Sequence, residues 1–158
     1  MAYLMNYKRV LVAIDGSKGS EAALEDAVNL VAGTDTRLDV LRVLDLNTVE
    51  YGGTGIALDG ERIYEIEQEN EKFMLNLRDD LVKNKGLKDD QVYVHLRFGS
   101  PKNIIAHEFP EEYHTNLIIL GYTGRNFIER VVMGSVAAYV TREARCDVLT
   151  SKGNNRKK

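Results

Sequence analysis

The chain has 158 residues, 44% hydrophobic and 28% charged, with a formal net charge of -3. That length suits one domain able to bury roughly 70% of the surface its unfolded chain would expose, and the charge balance excludes nucleic acid and an anionic membrane as expected partners. Cys146 is the only cysteine, so the sequence carries neither a disulfide framework nor a cysteine metal cluster. Its setting, "ARCDV", suits a small buried residue at a helix-to-strand junction rather than a nucleophile. The start, "MAYLMNYKRV", lacks the apolar run of a signal peptide, and no later stretch reaches membrane-spanning length, so a cytoplasmic protein is expected.

The first predicted element is a strand at "KRVLVAID", residues 8–15, whose near-continuous apolar run fits burial on both faces of a parallel sheet. "DGSKGS" follows as a turn and cap, with Ser17 or Ser20 able to accept from the amides of a helix start. The helix itself, "EAALEDAVNLVAG", repeats Ala23, Leu24, Ala27, Val28 and Val31 at three- and four-residue spacing and stops at Gly33. A second strand spans 37–44. The glycine-dense 45–60 segment reads as a surface loop, with a lid over a site as the less common alternative.

A long helix, 61–85, carries Ile63, Ile66, Asn70, Phe73, Met74, Leu77 and Leu81 along one stripe. Then come a third strand, "QVYVHLRFG", and a short helix, "SPKNIIAHEF", with Ser100 as cap and Pro101 in its first turn. A fourth strand, "NLIILG", a helix near 134–144 and a weak fifth strand, "DVLTS", complete the pattern. Residues 1–151 form the predicted domain and 152–158, "KGNNRKK", a basic solvated tail. Strand and helix alternate throughout, which predicts an α/β fold: a single-domain, open, five-stranded parallel sheet with helices on both faces. Such sheets bind ligands at the carboxyl ends of their strands, where the strand order reverses.

Directly behind the fourth strand lies "LGYTGRNFIERVVMGSVAAYV", residues 120–140. Glycine after a buried strand lets backbone approach a ligand closely. A Gly-Ser at a helix start offers free amides, a hydroxyl and a positive dipole end, which together suit phosphate. Arg125 and Arg130 could add charge. The stretch matches neither the Walker pattern nor the G-x-G-x-x-G fingerprint. The competing explanation is structural: Gly121 and Gly124 shape a turn, and Gly134 permits close helix packing.

Gly121-Tyr-Thr-Gly124, nine residues, then Gly134-Ser135 is similar to G-x2-G-x9-G-[S/T], the nucleotide signature of the ATP-binding universal stress proteins. "KRVLVAIDGS", "LDVLRVLD", "RFGSPKNIIAHE" and the C-terminal third resemble the same family, so the likeness covers almost the whole chain. The resemblance implies an adenine nucleotide alpha hydrolase-like, Rossmann-like sheet and an ATP site. Asp15, with the backbone of Ala13 and Ile14, would lie near adenine and ribose, and Val43 would hold the base through main-chain bonds. Gly121 and Gly124 would line ribose and phosphates beside Arg125 and Asn126, while Gly134, Ser135 and Val136 would present amides and a hydroxyl to the phosphates. Mg2+ would accompany the triphosphate.

Each residue has a plainer role open to it. Asp15 could cap the first helix, Val43 could be core, and Ser135 could be an N-cap. Tyr122 stands where shorter residues are commoner, and it could stack on a ligand or crowd it. The family's homodimer pairs last strands edge to edge, a contact that Asp147, Thr150 and Ser151 would weaken here. Three functions remain in view: a nucleotide-responsive stress or regulatory protein, a slow ATPase or adenylyl-transfer enzyme, and a nucleotide-free interaction module. The first is favoured. Catalysis wants a general base or phosphoryl-activating lysine, and His95, His107 and His114 all lie outside the glycine motif, where structural roles are the expectation.

Overall fold

The computed structural model describes residues 6–45, 60–123 and 132–153. β1 (Arg9–Ile14) leads into α1 (Lys18–Val31), β2 (Arg37–Leu44) and α2 (Gly60–Asn84). These are followed by β3 (Val92–Phe98), α3 (residues 101–113), β4 (Leu117–Gly121), α4 (Ser135–Glu143) and β5 (Asp147–Ser151). The strands form one five-stranded sheet in the order β3-β2-β1-β4-β5, with every adjacent pair parallel. The expected strands and helices are therefore present, most with ends shifted by one or two residues. The 45–60 loop lies almost wholly outside the described residues, as do Gly124, Arg125 and Asn126.

Side-chain alternation along the strands divides the core in two. Val10, Val12 and Ile14 of β1 pack with Leu38 and Val40 of β2 and Leu117 and Ile119 of β4. α1 covers this face through Ala23, Ala27, Val28 and Val31, and α2 through Met74 and Leu81. Leu11, Leu41, Ile118 and Leu120 point the other way, onto Ile104, Ile105 and Phe109 of α3 and Ala137 and Val140 of α4. The chain thus winds outward from β1 through β2 to β3, then crosses back to β4 on the other side of β1. That reversal opens a crevice between the carboxyl ends of β1 and β4.

Two elements differ from expectation. Phe73, placed by its spacing in the buried stripe of α2, lies on the flank and is exposed, with the Arg42 guanidinium 5.4 Å from its ring centre. α3 does not stop before Pro110 but runs on to Tyr113. Proline inside a helix clashes with the carbonyl four residues back. Here the Phe109 amide bonds to the Ile104 carbonyl, five residues back, so one wide π turn makes room and the helix restarts with Pro110 in its first turn. Ser100 occupies the expected cap position through its backbone, with no hydrogen bond from its side chain.

Candidate functional site

β1 delivers Ala13, Ile14 and Asp15 to the crevice. Ile14 is buried toward α1, whereas Ala13 is only half-buried on the α3–α4 face, as is Val43 of β2. Half-exposed apolar side chains on inner strands of a parallel sheet mean that the helices leave this end uncovered. An apolar floor of that kind suits an aromatic base. Asp15 does not cap α1. Its Oδ1 accepts the Ser17 amide at 2.9 Å, closing a tight turn that Gly16 enters at φ 82°. The cap is Ser17, whose Oγ accepts from the Ser20 amide at 3.1 Å, while Ser20 Oγ in turn accepts the Asp15 amide at 3.2 Å.

At the end of β4, Gly121 meets α1 backbone to backbone. A Cβ on Gly121 would lie 2.6 Å from the Gly19 carbonyl carbon, and a Cβ on Gly19 would lie 2.3 Å from the Thr123 oxygen. The absence of both side chains is what lets β4 pass the first turn of α1. Tyr122 then ties three elements together. Its amide donates to the carbonyl of Ser151, the last residue of β5, and its own carbonyl accepts the Gly134 amide, each at 2.8 Å. Its ring carries Lys152 Nζ 4.7 Å from the centroid. The bond to Gly134 brings the start of α4 against the carboxyl end of the sheet.

Gly134, not Ser135, is the N-cap of α4, with φ -62° and ψ 155°. Ser135 is the first helical residue and is exposed; Val136 is half-buried. A glycine cap has no side chain with which to satisfy the first amides, so those of Ser135 and Val136 can meet an anion at the positive end of the helix. The described site residues Ala13, Ile14, Asp15, Gly121, Tyr122, Gly134, Ser135 and Val136 thus come from the chain segments at or next to this crevice, with Val43 one strand further out.

Other candidate chemistry lies elsewhere. His95 bonds to Asp39, in the amino-terminal half of β2, at 2.7 Å, and His114 ends α3 in a left-handed conformation ahead of β4. His107 stands edge-on to Tyr139. Cys146 is half-buried, and burial with Asp147 beside it pushes its thiol pKa up, which suppresses the nucleophilic thiolate. It lies at the expected junction, between α4 and β5, but is less buried than the sequence predicts. Three features escaped the sequence reading: Gly19, whose role depends on a residue a hundred positions away; Lys152, assigned to the tail; and the pairing of Asp39 with Arg37 and His95. Among the described residues, no helix is long and apolar enough to cross a membrane.

Comparison with known proteins agrees with this fold. The model of the universal stress protein family matches residues 6–152. A putative universal stress protein of Staphylococcus aureus (strain USA300) is 35% identical over 146 residues, 92% of this chain and 84% of that protein. The structure of universal stress protein UspA from Lactobacillus plantarum superposes with a TM-score of 0.73 at 25% identity, covering 92% of this chain and 98% of that one. Two further similar structures hold nucleotides. A universal stress protein in complex with cAMP has a TM-score of 0.59 at 24% identity, covering 92% and 96% of the two chains. The Archaeoglobus fulgidus universal stress protein in complex with dAMP has a TM-score of 0.57 at 22% identity, covering 92% and 98%. The chain belongs to the universal stress protein family.

Proposed function

We propose that the crevice at the carboxyl end of the sheet binds an adenine nucleotide, ATP with Mg2+, and that the protein is a nucleotide-responsive stress or regulatory protein. The observation that carries this reading is the glycine-capped start of α4, with no side-chain cap bond, held by the Tyr122–Gly134 bond at the point where the strand order reverses. Ala13 and Val43 supply the apolar surface for the base, and the amides of Ser135 and Val136 the phosphate contacts. The spacing of Gly121, Gly124 and Gly134-Ser135 supports it, as do the cAMP and dAMP held by the two similar proteins. Mg2+ usually bridges phosphates with one or two protein oxygens.

Binding rather than turnover is favoured because His95 and His114 lie away from the crevice. A homodimer through β5 belongs to the same reading; Leu149, 39% exposed on that edge strand, is an apolar residue such pairing would cover. Cytoplasmic residence is likewise part of it.

The test starts from purified protein, denatured so that any nucleotide carried through purification can be identified by chromatography. Thermal-shift assays with Mg-ATP and AMP follow. Ligand at a hundred times its dissociation constant should stabilise the protein by about 2.7 kcal/mol. Valine tolerates the φ and ψ of Gly134 but is a poorer N-cap than glycine, so Gly134→Val tests space for the ligand at some cost to the start of α4. Its unliganded melting point should fall only modestly while the ATP-induced shift disappears. No released nucleotide and no shift at millimolar ATP would overturn the reading.

A further inference from the structure

The Tyr122 ring, which the sequence leaves free to stack on a ligand or to crowd it, is engaged by a cation instead. Lys152 follows directly on β5, and its Nζ lies 4.7 Å from the ring centroid. The backbone of the same tyrosine fixes the surroundings, bonding Ser151 on one side and Gly134 on the other, both at 2.8 Å. One residue therefore holds an ammonium group and the start of α4 together. Lys152 is exposed, and an exposed lysine ordinarily spreads over many rotamers. A ring face gives this one a preferred position without neutralising its charge, because the attraction to the π cloud leaves all three N–H donors available.

From this arrangement we propose that Lys152, oriented by Tyr122, is the specificity-determining residue for phosphate number: it pairs with the outer phosphates and favours a nucleoside triphosphate over a monophosphate. The proposal rests on the nucleotide reading above. The amides of Ser135 and Val136 belong to rigid backbone and serve whichever phosphate reaches them, so they discriminate little between AMP and ATP. A compact ammonium on a flexible stem is a point charge that reaches outward. Its attraction grows with the negative charge on the ligand, and that charge rises with each added phosphate. Tyr122 acts as a positioning residue and touches the ligand only through what it holds.

The experiment is calorimetric titration of the full chain with Mg-ATP and with AMP, for the parent, Lys152→Gln, Lys152→Arg and Tyr122→Leu. Lys152→Gln should lower ATP affinity about tenfold, the worth of one charged hydrogen bond, and leave AMP within about twofold. Lys152→Arg should restore ATP binding. Tyr122→Leu keeps the backbone bonds and loses the ring, so it should move the ATP-to-AMP ratio in the same direction by less. Raising the salt concentration should erode the parent's ATP preference and change the Lys152→Gln ratio little. Equal losses for both ligands in Lys152→Gln, or no loss for either, would overturn the role of Lys152 while nucleotide binding stood. A parent chain that binds neither ligand would overturn both.

Discussion

Replacing Asp39 with alanine is expected to destabilise the protein by about 3–5 kcal/mol, the range for removing one partner of a buried ion pair. The Asp39 side chain is fully buried. Its oxygens accept from Arg37 Nε at 3.1 and 3.2 Å, from Arg37 Nη2 at 2.9 Å and from His95 Nε2 at 2.7 Å. A carboxylate can only accept, so His95 carries its proton on Nε2. The alanine variant would leave the imidazole without an acceptor, packed against the stacked rings of Phe109 and Tyr113, each 4.9 Å away. It would also leave a guanidinium that cannot shed its charge, 25% exposed and lying 3.8 Å from the centre of the Tyr93 ring.

The cost should come mostly from the stranded charge, not from the lost attraction. The double variant Arg37→Met with Asp39→Leu should therefore recover most of the loss, because apolar replacement of a whole buried pair is often close to neutral. Urea midpoints at constant slope are the measurement. A loss below about 1 kcal/mol in Asp39→Ala would mean that the pair behaves as a surface salt bridge. Nucleotide affinity per folded molecule should not change, since Asp39 lies toward the amino end of its strand and the crevice opens at the other.

The parallel sheet was legible because buried strands and amphipathic helices leave periodic marks, and the crevice because glycines at fixed spacing follow the fourth strand. What stayed hidden depends on residues distant in sequence. Arg37 and Asp39, two apart on one strand, share a face and could be paired on paper. The third partner, His95, is brought there by the register that sets it opposite Leu41. Pro110 is a stop signal by local rules, and what absorbs it is a π turn closed by the bond from the Phe109 amide to the Ile104 carbonyl. Lys152 resembles any residue of a basic tail until Tyr122 is placed beneath it. Ser135 has the side chain of a cap, yet the cap fell to the glycine before it, whose amide is taken by Tyr122.

Gly121 and Gly19 show the same limit, and they set the second large expectation: Gly121→Ala should cost about 3 kcal/mol, the upper part of the range for overpacking. Neither glycine is among those with positive φ, so alanine is excluded by space and not by conformation. The atoms in the way are backbone, Gly19 carbon and oxygen at 2.6 and 2.8 Å from the added methyl. No side chain can rotate aside; α1 and β4 must move apart, loosening the packing of Ala23 and Ala27 behind them. Gly60→Ala, which has open space at the start of α2, is the control and should be neutral or slightly stabilising. Thermal and urea unfolding of the two variants check the order.

Gly19→Ala carries a further expectation that Gly60→Ala does not. Its methyl would press on the Thr123 carbonyl, the last described position before the rest of the glycine motif. If that motif holds a nucleotide, Gly19→Ala must weaken ATP binding beyond what its own loss of stability explains. Asp39→Ala, itself destabilised, must not. Affinities measured well below both melting points separate the two cases. Equal ATP affinity in Gly19→Ala and the parent would show that α1 sets only the packing of β4 and not the shape of the site beyond it.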